Sequence, residues 1–137
     1  MKIIDKITLP FYRIRNTFRD AYYNLKYRCQ RFIRGYADED VWGMDAWFIE
    51  GMQKLLPQYI KRTNGFPAII TFEEWKDILN EMLYCLNGMT IEGAEEQLFG
   101  KNDELTFQQI KEIEVHIETN TKRFFELYTK WFDHLWY

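Results

Sequence analysis

An all-α fold follows from three features of this sequence. Apolar residues recur at three- and four-residue steps along four long stretches, the spacing that lines them up on one side of a helix. Two of those stretches open with a complete capping box, Thr71-Phe72-Glu73-Glu74 and Thr106-Phe107-Gln108-Gln109. No stretch sustains the alternation of period two, punctuated by hairpin turns, that a sheet requires. The expected architecture is a compact helical bundle of four to five helices with a basic N-terminal helix and a long C-terminal helix. Residues 1–137 are read as one domain in which 1–34 form the basic arm.

The first helix is expected over 10–34. Ile14, Phe18, Leu25, Cys29 and Phe32, with Ala21 and Tyr22 between them, form its apolar stripe. Pro10 suits a first helical turn, which leaves 1–8 as a separate short piece. Gly35 follows Arg34 and supplies the left-handed residue that closes a helix cheaply. Asp38 is the expected N-cap of the next helix, 39–62, with Glu39 and Asp40 in the first turn where negative charge suits the helix dipole. Trp42, Ala46, Ile49, Met52, Leu56 and Tyr59 continue its buried face. Pro57 predicts a kink or break, because it lacks a backbone donor and its ring crowds the carbonyl of Gln53.

"TNGFP", 63–67, is a loop by composition. The helix at 72–86 buries Trp75, Ile78, Leu79, Met82, Leu83 and Leu86, with Ile70 and Trp75 at the two hydrophobic-staple positions. Asn87-Gly88 stops it. A short helix over 91–99 is weakened by Gly93. The last helix, 107–135, carries Phe107, Ile110, Ile113, Ile117, Thr121, Phe124, Tyr128, Trp131 and Leu135 on one side. Its polar stretch "ETNTK", 118–122, is the expected weak point. Phe125, Phe132, Trp136 and Tyr137 fall beside or beyond that side and need other cover: the N-terminal helix, a second copy of the chain or a partner.

Composition narrows the class. With 47% hydrophobic and 18% aromatic residues but only 3 Pro and 7 Gly, the chain can build a core and is neither disordered nor collagen-like. No uncharged apolar run is long enough to span a bilayer, and the opening "MKIIDKITLPFYRIR" lacks the apolar core of a secretory signal, so a cytoplasmic location is expected. Cys29 and Cys85 each fall in an apolar stripe and read as buried reduced thiols, without a C-x-x-C pair for zinc or redox chemistry. The net charge of −3 is unevenly spread. Residues 1–34 hold nine Lys or Arg and two acids, a net of +7, and residues 35–137 carry −10. Such an arm either contacts an anionic partner or neutralises the acidic body of its own chain.

Catalytic chemistry finds no foothold. The chain has no serine, no glycine-rich phosphate loop, and no histidine near either cysteine in sequence. Glu112 and His116 share a helix face but lack the second motif that would complete a metal centre. The carboxylates at Asp38, Glu39, Asp40 and Asp45 lack calcium-loop spacing, and capping explains the first three. No catalytic residue, metal or cofactor is expected. Arg13, Arg15 and Arg19, interleaved with tyrosines, are the candidate polyanion-binding residues, because cations neutralise phosphates and exposed rings stack on bases. Arg31, Arg34, Tyr36 and Trp42 are candidate ligand- or partner-binding residues that could line a pocket for an anionic, aromatic ligand such as a nucleotide. Capping and core packing account for the same residues without any ligand.

"RFIRGYADEDVW" also carries a resemblance. Arg34, Gly35, Tyr36, Asp38 and Trp42 form an Arg-Gly-aromatic-x-Asp-x-x-x-Trp segment after a basic helix. A Gly-aromatic-Pro loop follows at Gly65, Phe66 and Pro67. Then comes an acidic-acidic-Trp helix at Glu73, Glu74 and Trp75, and an aromatic Leu-Trp ending at Leu127, Tyr128, Trp131, Phe132, Leu135 and Trp136. In order and spacing this resembles a family of small uncharacterised bacteriophage and prophage proteins, over most of the chain except 88–106. The resemblance implies a phage origin and an all-helical domain, and carries no activity. Small phage proteins often act by binding. The expected function is therefore a non-enzymatic accessory protein that binds a host protein, plausibly to inhibit host defence. The alternative is a protein that sequesters a nucleotide signal or binds nucleic acid through its basic helix. A homodimer is a further candidate assembly, and no membrane insertion is expected.

Overall fold

A computed structural model describes residues 4–100 and 104–136, with side chains described from residue 16 onward. Every regular element among them is helical. The order is α1 (Ile4–Arg34), α2 (Asp38–Trp42), α3 (Met44–Arg62), α4 (Phe72–Asn87), α5 (Ile91–Phe99) and α6 (Phe107–Trp131), with a closing 3₁₀ turn at Phe132–His134. The chain divides into two compact units, residues 1–47 and 48–137. Helix α3 begins in the first and gives most of its length to the second. Among the described residues no helix is long and apolar enough to cross a membrane.

The first unit is α1, α2 and the start of α3. Helix α1 runs 31 residues, about 46 Å at helical rise. Its backbone continues through Pro10 to Ile4, so the separate piece expected at 1–8 is, from Ile4 onward, part of the helix. Gly35 has a φ of +84° and its N–H donates to the Arg31 carbonyl at 2.9 Å, the left-handed closure expected. A Cβ there would meet nothing within 4 Å, so only the backbone conformation selects glycine. Gly35→Val is expected to lower stability by about 1 kcal/mol or more. An unchanged urea midpoint for the α1–α2 turn would show that the turn tolerates a β-branched residue.

The stripe of α1 is not a buried face. Phe18, Leu25 and Phe32 are 72%, 64% and 93% exposed, and Cys29 is exposed as well. Among the described residues of its unit the only other complete helix is the five-residue α2, which spans about one and a half turns. An element that short cannot cover a stripe about six times its length.

The helix expected over 39–62 is two helices. The break falls at Gly43, whose N–H donates to the Glu39 carbonyl at 3.1 Å while its own carbonyl receives the Trp47 N–H at 2.9 Å. Pro57, where the break was expected, sits inside continuous helix. Its missing donor forfeits one bond to Gln53, while Leu56 before it and Tyr59 and Ile60 after it all pack on the core.

The second unit is built on α4 and α6. Trp75, Leu79, Met82, Cys85 and Leu86 from α4 meet Phe124, Leu127 and Trp131 from α6, with Leu56 from α3. Thr71 caps α4 and Thr106 caps α6 in the reciprocal boxes read from sequence: Thr71 N–H donates to Glu74 at 2.7 Å and Thr106 N–H to Gln109 at 2.9 Å. Helix α6 passes through "ETNTK" unbroken. The hydroxyls of Thr119 and Thr121 donate to the carbonyls of Val115 and Ile117 at 2.8 and 2.7 Å, and Asn120 Nδ2 donates to the His116 carbonyl at 3.0 Å. These polar side chains bond their own helix instead of competing with it.

Of the surplus rings at the C-terminus, Phe125 stacks on Phe48 of α3 at 5.8 Å and Phe132 meets the edge of Tyr128 at 5.4 Å. Trp136 donates from Nε1 to the Asp133 carbonyl at 2.7 Å while its ring stays largely exposed. Tyr137 lies outside the described residues.

Candidate functional site

The sequence stretch that suggested a pocket folds into a charged clasp between α1 and α2. Gly35 turns the chain back, and Ala37, fully buried, takes the N-cap position expected for Asp38. Alanine has no side-chain acceptor, so only half a capping box forms: the Asp40 carboxylate accepts from the Ala37 N–H at 2.7 Å. Asp38 is displaced one position along, into the first turn. There it accepts from Gln30 Nε2 at 2.7 Å and from the Arg34 guanidinium.

Arg31 is the centre of the clasp. Its Nη2 reaches Glu39 and Asp40, both at 2.7 Å, and its Nε donates to Asp40 at 3.0 Å. The Asp40 side chain is only 9% exposed, so this two-pronged pair is the best shielded in the clasp. Arg34 pairs with Asp38, donates from Nε to the Tyr36 carbonyl at 3.0 Å, and lays its guanidinium over the Tyr36 ring at 4.6 Å. Arg31 and Arg34 are pushed above the usual arginine range, chiefly by hydrogen bonds to Asp40 and Asp38 respectively.

The acids shift in the opposite direction. Asp40 is held below the usual carboxylate range first by Arg31 and then by the Ala37 N–H, and Asp38 by Arg34 and then Gln30. A carboxylate depressed in the folded state contributes in full above its unfolded pKa, about 3.9, and loses the contribution as pH falls through the lower folded value. The amide resonance of Ala37 is therefore expected to hold its position from neutral pH to about pH 4 and to move only below that. Movement centred at about pH 4, where a free carboxylate titrates, would show that the clasp is not formed in solution.

The structure thus brings Arg31, Arg34 and Tyr36 together, with every guanidinium already facing a carboxylate. Trp42 stands apart from them. It is 92% exposed, not the first residue of a buried stripe, because Gly43 ends α2 immediately after it. Val41, Met44 and Trp47 beside it in sequence are exposed too. Arg19 lies 3.8 Å from Asp20. The side chains of Arg13 and Arg15 lie outside the described residues.

A second feature belongs to the second unit. A cleft of about 350 Å³ is lined by Met52, Leu55, Leu56, Tyr59, Tyr128 and Leu135, with Gln58 and Arg62 also on its wall. The sequence reading missed it, because its walls come from α3 and from the C-terminal end of the chain, which are far apart in sequence. Tyr59 fixes one side by donating to the carbonyls of His134 and Trp136 at 3.2 Å each.

The histidine weighed as a metal ligand has another use. His116 Nε2 is 2.8 Å from Gln97 Oε1, Gln97 Nε2 donates to the Tyr84 carbonyl at 2.8 Å, and buried Asn120 lies 3.4 Å from the same Gln97 oxygen. This network ties α4, α5 and α6 together. Among the described residues no three His, Cys, Asp or Glu side chains gather to hold a metal ion. No protein-family model, curated protein or solved structure matches the chain.

Proposed function

We infer that this is a non-enzymatic interaction protein that presents Trp42 as an anchor to a partner protein. The observation that carries the reading is the exposure of Trp42 at the C-terminal end of α2, a short helix whose first turn is held to α1 by the Arg31–Asp40 and Arg34–Asp38 pairs. A cluster of exposed apolar side chains leaves more apolar area in water than a single exposed residue does. Trp, Met, Tyr and Arg are the residues enriched at the centres of protein interfaces. Val41, Met44 and Trp47 extend the apolar surface around it. A turn already ordered by ion pairs gives up little further entropy on binding.

The resemblance implies a phage origin and carries no activity; because small phage proteins often act by binding, the proposed partner is a host protein and the proposed outcome inhibition of host defence. The test is affinity capture from phage-infected bacteria, followed by direct titration of the purified chain against the captured protein. Trp42→Glu is expected to weaken that titration by a hundredfold or so, as loss of a central anchor does. Equal affinity for wild type and Trp42→Glu would remove Trp42 from the interface and this reading with it.

A nucleotide at Arg31 and Arg34 is the second reading. The ligand would have to displace Asp38, Glu39 and Asp40 from both guanidiniums, which disfavours it. An ultraviolet-absorbing compound released when the purified protein is denatured would reverse that order.

A further inference from the structure

The exposed stripe of α1 and the Trp42 surface are separate features, and the stripe has its own chemistry. Phe18, Ala21, Tyr22, Leu25, Cys29 and Phe32 follow three- and four-residue steps, which at helical geometry place them within an arc roughly 100° wide. The spacing of Phe18, Leu25 and Phe32 is seven residues, and Phe11 and Ile4 hold the same register positions toward the start of the helix. Cations border the arc on both sides: Arg19 and Lys26 along one edge, Arg28 along the other. The two acids of α1, Asp5 and Asp20, both hold register positions away from the arc. The three acids of α2 are engaged with Arg31 and Arg34, whose positions also lie away from the arc, and only Lys26 among the border cations is drawn toward them, 3.7 Å from Asp38.

We propose that α1 is an interfacial helix that lies in the plane of an anionic lipid surface, with Phe18, Leu25 and Phe32 entering the acyl boundary and Arg19, Lys26 and Arg28 meeting lipid phosphates. Each competing occupant satisfies one half of the helix. A nucleic acid supplies phosphates for the cations and bases for exposed rings to stack on, but no apolar depth for the aliphatic part of the stripe, Ala21 and Leu25. A second copy covers the rings but sets one segment of net charge +7 against another. An anionic bilayer surface supplies both, apolar depth beneath the stripe and negative charge at the level of its borders. Arginine and lysine stems extend along apolar surface while their heads stay in water, so cations at the borders, not within the stripe, fit that arrangement. Tyr22, at the edge of the arc, pairs an apolar ring with a polar hydroxyl, as residues at that level do. The helix is too charged to cross the bilayer, which fixes its orientation along the surface.

The test is flotation of the purified full-length chain with vesicles of pure phosphatidylcholine and with vesicles containing about one-third phosphatidylglycerol. Binding is expected to the anionic vesicles alone, and to fall about tenfold or more between roughly 0.1 M and 0.5 M salt. Leu25→Glu combined with Phe32→Glu, and separately Arg19→Glu combined with Arg28→Glu, are each expected to weaken it about tenfold or more. Both pairs are exposed, so the circular dichroism of each variant should match wild type. The lipid and salt series on the wild-type chain decides the matter even if a variant misfolds. No flotation with anionic vesicles, or equal flotation with neutral ones, overturns the proposal. So does anionic flotation that survives the Leu25 and Phe32 changes in a folded variant. Failure to float, together with a dimer that Leu25→Glu dissociates, would give the stripe to a second copy. Failure to float, together with salt-sensitive binding to a single-stranded oligonucleotide, would give the cations to nucleic acid.

Discussion

Trp75→Ala is expected to lower the stability of the second unit by about 3–5 kcal/mol, the range for removing a large ring from a packed core. Trp75 is fully buried and meets Trp131 edge to face, with ring centroids 5.5 Å apart. It also holds the N4 staple position of α4, so its loss affects both the packing and the start of the helix. One detail sharpens the test. The indole Nε1 is buried without a hydrogen-bond acceptor among the described residues, a defect that costs about 1–3 kcal/mol. Trp75→Phe removes the orphaned donor along with part of the ring, so the two effects oppose each other. The phenylalanine variant should therefore lose less than half of what the alanine variant loses. Urea unfolding compares them, and equal losses would mean that the N–H is satisfied in solution.

Two glycine-to-alanine changes in helices are expected to have opposite signs. Gly51 lies inside α3 with open space where a Cβ would go, so alanine should add about 0.5–1 kcal/mol of stability. Gly93 lies inside α5, where helix propensity alone predicts the same gain. Its Cβ would collide with the backbone carbonyl of Asn87 and crowd Thr90 Oγ1. Neither atom is free to move, because Thr90 caps α5 by accepting from the Gly93 N–H at 3.1 Å and its hydroxyl donates to that same carbonyl at 3.3 Å. Overpacking against fixed backbone costs about 1–3 kcal/mol, which outweighs propensity. A shift of both urea midpoints in the same direction would refute the close approach of α5 to the end of α4.

These examples mark where sequence reading succeeds. The two capping boxes are local, four residues each, and both form as read. The buried faces of α4 and the middle of α6 follow from period alone, since Trp75, Leu79, Met82, Leu86, Ile113, Phe124 and Trp131 are all buried. Gly93 looked like a weakness because its tertiary neighbour cannot be seen in its own helix. Pro57 attracted the predicted break that Gly43 makes. Proline announces itself by chemistry, whereas Gly43 ends α2 only because the chain must restart there.

The candidate site was legible in its parts and not in its arrangement. The charges around Gly35 implied caps, but the substitution of Ala37 for Asp38 at the N-cap depends on Arg31 drawing Asp40 back across the turn. Periodicity identified the stripe of α1 without saying whether anything covers it. Exposure is a property of the whole fold, so Cys29 and Trp42 could not be separated by pattern from the buried Cys85.

The placement of the five tryptophans has a spectroscopic consequence. Trp75 and Trp131 are enclosed in the second unit, and their emission belongs at the blue end of the indole range. Trp42 and Trp47 of the first unit and Trp136 at the C-terminus face water and emit to the red. A water-soluble quencher such as iodide reaches only the red population, and unfolding of the second unit moves only the blue one. The unlabelled chain therefore carries two optical channels, one reporting on its core and the other largely on the α2–α3 junction that bears Trp42 and Trp47.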